Sequence, residues 1–183
     1  MFNRVPNFDE PIDALEICHE NIVKRMETIA TMAERIGTGG AGAFREQLDI
    51  WMEIFSFIRH SIANHSRDEE ENLFPILRRT IGEKIDALEA DHEWAEETEG
   101  FLQSEFEALR TMDGGDEMER RLEEFAARAM ALSRFYRDHI AKENAEIFPE
   151  ARKVLSTGEI AELGAAMRRR RRITIETPAT PPA

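Results

Sequence analysis

Two eleven-residue stretches of the sequence repeat one another: His65-Ser-Arg-Asp-Glu69-Glu-Glu-Asn-Leu73-Phe74-Pro75 and His139-Ile-Ala-Lys-Glu143-Asn-Ala-Glu-Ile147-Phe148-Pro149. Each is His-x-x-x-Glu followed by an aliphatic residue, Phe and Pro at the same offsets. Four helical residues advance the chain by roughly 6 Å and about 40° beyond a full turn. The imidazole and carboxylate therefore share a face and can grip one ion. Two further histidines extend the pattern, His19 lying 46 residues before His65 and His92 lying 47 before His139. The chain reads as two halves, each a helix with a lone His followed by a helix with His-x-x-x-Glu. Burying four imidazoles and two carboxylates in a helical core is costly without a cation, so metal binding is the chemistry to expect. Nitrogen and carboxylate donors without thiolate suit iron, manganese or zinc. Six protein ligands exceed a closed tetrahedral zinc site and fall short of saturating two octahedral ions. That leaves room for a solvent-derived oxo or hydroxo bridge and an exogenous ligand, and two carboxylate-bridged iron ions fit best.

The elements that must position these residues follow from apolar periodicity. A first helix is expected from near Asp9 as N-cap, with Pro11 in its first turn. Ile12, Leu15, His19, Ile22, Met26 and Ile29 form its stripe, and Gly37 to Gly42 is read as the loop that ends it. A second helix is expected from about Ala43 to Arg78-Arg79, with Ile54, Ile58, Ile62, His65, Glu69 and Leu73 facing inward and Pro75 bending its last turn. After a turn at Ile81-Gly82, a third carries Ile85, Leu88, His92, Ala95, Leu102, Phe106 and Leu109 and stops at Met112 to Gly115. A fourth runs from about Asp116 to Pro149, and Ser156-Thr-Gly-Glu159 reads as a capping box opening a short fifth helix to about Arg170. The fold class expected is all-α, an antiparallel up-down-up-down four-helix bundle over residues 1–155. Residues 156–172 make a short C-terminal helix ending in an arginine run, and the Pro-rich 173–183 is read as a disordered tail.

Composition excludes several classes of function. With 183 residues and a net charge of −13, the chain suits one soluble domain and is a poor partner for nucleic acid. No run of about 18 apolar residues is present and no apolar segment marks the start as a secretory signal, so the expectation is a cytoplasmic protein without a membrane partner. The single cysteine, Cys18, excludes an internal disulfide and a cysteine-based zinc site.

The order His, His-x-x-x-Glu, His, His-x-x-x-Glu, with Leu/Ile-Phe-Pro after each pair, resembles the hemerythrin-like (HHE cation-binding) domain, over residues ~9 to ~155. The resemblance implies a non-haem di-iron centre in a four-helix bundle, with His19 and His65 on one iron, His92 and His139 on the other, and Glu69 and Glu143 bridging. It implies a small ligand such as dioxygen, nitric oxide or peroxide, in sensing, storage or detoxification. The alternatives are a di-iron enzyme that decomposes peroxide or oxidises iron, and an iron storage or donor protein. Oxygen carriers of that family have a further His where this chain has Glu96, one turn after His92. A carboxylate there is a candidate seventh ligand and favours the ferric state.

Other polar residues receive plainer readings. His60 has polar helical neighbours and is read as solvated. Tyr136, one turn before His139, is read mainly as core, with its hydroxyl within reach of the site. Glu70, Glu71 and Asn72 are read as facing water, and Cys18 as a packing residue. Arg168 to Arg172 are read as a solvated helix end, with an acidic partner as the alternative.

Overall fold

A computed structural model of the chain describes residues 5–172; the tail expected at 173–183 lies outside them. Among the described residues there is no strand, and no helix long and apolar enough to cross a membrane. Four long helical runs and a short terminal helix make up the protein. The first run is α1 (Pro11–Glu46). The second consists of α2 (Leu48–Phe57), α3 (Ala63–Asp68) and the start of α4, joined by π-helical turns at Ile58–Ile62 and Glu69–Leu73. α4 (Phe74–Leu109) is interrupted at Ile81 (φ −135°, ψ 41°), the expected turn, and its remainder is the third run. The fourth is α5 (Asp116–Lys142), a π turn at Glu143–Ile147, and α6 (Phe148–Val154). α7 (Thr157–Arg170) closes the chain.

Partners across the first and fourth runs pair in opposing order: Asp13 with Arg152, His19 with Asn144, Met26 with Ser133, Ala41 with Glu119. Asp91 with His139, Glu99 with Tyr136 and Glu105 with Arg121 do the same across the third and fourth. In these two pairings the residue order is opposed.

Three boundaries differ from the sequence reading. Glu10, not Asp9, precedes the first helical residue, and Pro11 occupies the opening position. Asp9 instead pairs with Arg168 at 2.8 Å. The Gly37–Gly42 stretch is not a loop: the helix continues to Gly39, turns at Gly40 (φ 53°, ψ −141°) and restarts to Glu46, so the second run begins at Leu48 rather than near Ala43. Glycine costs a helix only about 1 kcal/mol per residue, and here the kink falls on one residue free to adopt a positive φ, with a second break at Gln47 (φ −108°, ψ 2°) before the second run. The Glu119 carboxylate accepts from the Ala41 N–H and anchors the restart.

The bend expected at Pro75 is absorbed differently. Proline lacks an N–H, so the α-helical ladder cannot pass through it unchanged. In both repeats the turn before it widens: the Phe74 N–H reaches the Glu69 carbonyl and the Phe148 N–H reaches that of Glu143, a five-residue step. Each proline then falls in the first turn of the next helix, where a missing donor costs little.

Apolar residues form two clusters with a polar layer between them. One gathers Met26, Ile29, Phe44, Trp51, Phe106 and Phe125 with their neighbours. The other gathers Leu15, Phe74, Leu77, Leu88, Phe148 and Met167. Each fully buried side chain of this size contributes about 1.5–3 kcal/mol. On the first three runs His19, His65 and His92 fall between the residues of the two clusters, and on the fourth the passage from Ile140 to Ile147 brackets Glu143, one turn after His139.

α7 opens with the expected capping box, Ser156 Oγ accepting from the Glu159 N–H while the Glu159 carboxylate accepts from that of Ser156 at 2.9 Å. These bonds, with Arg79, hold the Glu159 carboxyl down at about 2. In the arginine run that follows, Arg169 and Arg172 are exposed, as a solvated end would be, but Arg168, Arg170 and Arg171 are partly buried and paired. Arg170 bonds to Asp68 and to Glu71 (2.5 Å), and Arg171 makes an ionic contact to Asp68 Oδ2 at 2.6 Å while lying over the Phe8 ring. Asp68 is fully buried and sits next to Glu69. Removing both guanidinium groups (Arg170→Ala with Arg171→Ala) leaves that carboxylate bare and should cost about 3–5 kcal/mol in denaturant unfolding. In an Asp68→Asn background the same pair of substitutions should cost far less, and an equal cost in both backgrounds would contradict the clamp.

Candidate metal centre

Six of the seven residues singled out by spacing come together in the polar layer. His19, His65, His92, His139, Glu69 and Glu143 converge from all four runs, and all are nearly or fully buried. Potential ligand atoms of His19, His65, Glu69 and Glu143 lie within 4.8 Å of one another, as do those of His92, His139 and Glu143. Glu143 belongs to both groups, with one oxygen 3.2 Å from His19 Nε2 and the other 3.3 Å from His139 Nε2. Glu69 likewise spans them, 3.3 Å from His65 Nε2 and 3.7 Å from His92 Nε2. Each carboxylate thus faces a histidine of either half.

The histidines pair through their Nε2 atoms, His19 with His65 at 2.9 Å and His92 with His139 at 3.1 Å. The remaining nitrogens explain why Nε2 points inward. His19 Nδ1–H donates to Asn144 Oδ1 (2.8 Å), His92 Nδ1–H to Glu70 Oε1 (2.7 Å) and His139 Nδ1–H to Asp91 Oδ2 (3.3 Å). A proton held on Nδ1 leaves the Nε2 lone pair for a cation, and an anionic acceptor makes that lone pair more basic. His65 Nδ1 has no partner.

The two repeats brace each other. Asn144 and Phe148 of the second stretch serve His19 of the first half, Phe148 stacking on its ring at 4.9 Å and 13°. Glu70 and Phe74 of the first stretch serve His92 of the second half, Phe74 stacking at 5.6 Å and 26°. Glu70 is thus still partly open to water, as read, but also accepts from His92. Glu70, Asn144 and Asp91 are the site residues missed by spacing alone. The signal for two of them was present, since the residue after each repeat's Glu is a hydrogen-bond acceptor.

The electrostatics of the cluster suit a cation. Burial pushes the Glu69 carboxyl well up, and the nearby Glu143 charge adds to it. Burial pushes Glu143 up as well, but the His139 and His19 imidazoles outweigh it and hold the carboxyl well below its usual range. Burial, then the neighbouring His19, lowers His65 well below the ordinary imidazole range, keeping it neutral. For His139 burial lowers, while Glu143 and Asp91 raise it to a net increase. No oxygen of Glu69 or Glu143 receives a directed hydrogen bond. Orphaned buried carboxylate oxygens beside inward-facing lone pairs fit a metal ion and little else.

Glu96, the seventh candidate, is not in either group. It is exposed and lines a cavity of ≈ 370 Å³ that reaches the His92 ring. His60 is exposed, its Nδ1 bonded to the Ser56 carbonyl, as its neighbours suggested. Tyr136 is buried, and its hydroxyl donates to Glu99 at 2.7 Å.

Compared with protein-family models, residues 3–151 match that of the hemerythrin HHE cation binding domain. No curated protein matches the chain.

The bracing has a measurable consequence. Asn144→Ala removes the acceptor that sets the His19 tautomer and should weaken metal binding about 10–100-fold in a competition titration with a chelator. Glu70→Gln retains an acceptor for His92 and should cost less. Equal affinities for wild type and Asn144→Ala would show that His19 needs no brace.

Proposed function

The chain belongs to the hemerythrin HHE cation-binding family, which makes it a metal-binding protein, and from that premise we propose a non-haem di-iron protein that binds dioxygen or a related small oxidant. The observation that carries the reading is the convergence of four imidazole Nε2 atoms on two buried carboxylates that no hydrogen bond satisfies. Six nitrogen and carboxylate donors exceed what one tetrahedral zinc uses and suit iron. In this reading His19 and His65 would hold one iron and His92 and His139 the other, with Glu69 and Glu143 offering carboxylate oxygens to both halves. The ions belong to an up-down-up-down bundle over residues 1–155, with 156–172 as its clamp.

When bound, two ferrous ions supply up to two electrons to a small oxidant. The protein's own residues do the remainder. Asn144, Glu70 and Asp91 hold imidazole protons on Nδ1, so that Nε2 stays aimed at the centre. Phe148, Phe74 and Phe135 stack on His19, His92 and His139 and keep water from their faces. The cavity beside His92 gives a guest the size of dioxygen, nitric oxide or peroxide access to one side of the cage. Sensing, storage and detoxification all use such an arrangement.

Anaerobic loading with ferrous iron should give about two irons per chain, and His65→Ala and His139→Ala should each abolish the dinuclear centre. On exposure to air a charge-transfer band should appear. Its loss under vacuum identifies a carrier or sensor, whereas dioxygen release from excess peroxide identifies the enzymatic alternative. A single zinc per chain with no such band after iron loading would overturn the di-iron reading.

A further inference from the structure

Tyr136 and Glu99 form one wall of the cavity that reaches His92, and neither belongs to the cage. They come from different helices, α5 and α4, and meet through the Tyr136 hydroxyl, which donates to Glu99 Oε1 at 2.7 Å. Tyr136 is only 5% exposed. Burial pushes the Glu99 carboxyl up to about 7, the Tyr136 hydrogen bond pulling against it and the Glu96 charge adding to it. The other charged or titratable groups on the cavity wall are Arg59, Arg67 and Glu70 from the second run and His92 on α4 itself.

A phenol has one proton to give, and a carboxylate can only accept. While Glu99 is ionised, the Tyr136 proton is committed to it. Once Glu99 is protonated, its own O–H can donate to the Tyr136 oxygen, and the phenol O–H is released towards the cavity. We propose that Glu99 and Tyr136 are a donor switch for the cavity's guest, in which protonated Glu99 frees the Tyr136 hydroxyl to hydrogen-bond to a small anion lodged beside His92 and to pass it a proton. The transfer balances without a redox partner. The Tyr136 O–H bond breaks as the guest gains a proton, and the Glu99 proton replaces it on the phenol. Solvent at the cavity mouth then reprotonates Glu99. The proposal rests on the di-iron reading for the position of the guest, but the switch itself is a property of the protein.

Two measurements test it. Azide binding to the iron-loaded protein, followed between about pH 5.5 and 8.5, should be about tenfold tighter on the acid side of a step near neutrality, the worth of one hydrogen bond to an anion. Glu99→Gln, whose amide can always donate to Tyr136, should bind azide with the acid-side affinity throughout. Tyr136→Phe should show the alkaline-side affinity throughout. Hydroxide competing for iron would leave the step in place in both variants, and a step that survives in both overturns the proposal. Infrared titration of the metal-free protein supplies the readout that needs no iron. In the wild-type minus Glu99→Gln difference spectrum, which cancels the buried Glu69 carboxyl, a protonated carboxyl band should disappear with a midpoint near 7, and its absence there also overturns the proposal. A chain that takes up no iron would refute the di-iron reading, and the infrared result would then decide the switch alone.

Discussion

Two carboxylates stand in the middle of an otherwise apolar interior with no hydrogen bond directed at any of their oxygens. That condition governs the remaining architecture. A buried carboxylate is tolerated where a cation meets it, so four helices must each deliver an imidazole to the same level. The apolar side chains must then divide into a cluster above and a cluster below. The interior is a sandwich whose filling is ionic, and the helices are long because each must cross both apolar slabs and the layer between.

The brace pattern follows from the same demand. A ligand on a long helix is held at one point unless something fixes the ring's rotation, and a helix cannot easily supply that partner to itself. The repeats solve this reciprocally, each lending an acceptor and a phenyl ring to the lone histidine of the opposite half. The reciprocity is not chemically symmetric. His92 and His139 lean on the carboxylates of Glu70 and Asp91, whereas His19 leans on a neutral amide and His65 on nothing. The half with anionic partners has the more electron-rich imidazoles, and it is also the half that the cavity reaches.

Much of this was legible in the residue order, because helical spacing is a local property. The histidine intervals, the stripes containing them, the Ser156-to-Glu159 cap and the break at Ile81 depend on neighbours within a turn or two. What was not legible depended on distant partners. Glu70 looks like one acidic residue among several until His92 arrives from another helix. The arginine run looks solvated until Asp68 is seen buried beneath it. The glycine-rich stretch misled for a different reason: its composition favours a loop, but one residue with a positive φ is enough to kink the chain and let helix resume as far as Glu46. Glu96 shows the limit of spacing itself, since one turn from His92 it still lies outside the cage, on the wall of the cavity.

The clamp at the C-terminal end bears on how the protein is made. Arg170 and Arg171 reach back to Asp68, and Arg168 to Asp9. During synthesis at about 5–20 residues per second, His19, His65 and Glu69 leave the ribosome well before the acceptor and phenyl ring that will brace His19. A nascent chain released as far as α3 thus offers half a cage, with ligands present and orientation absent. The complete arrangement waits on α7. A chain cut short after α5 would carry the four histidines without the Asn144 amide and the Phe148 ring that hold His19 still.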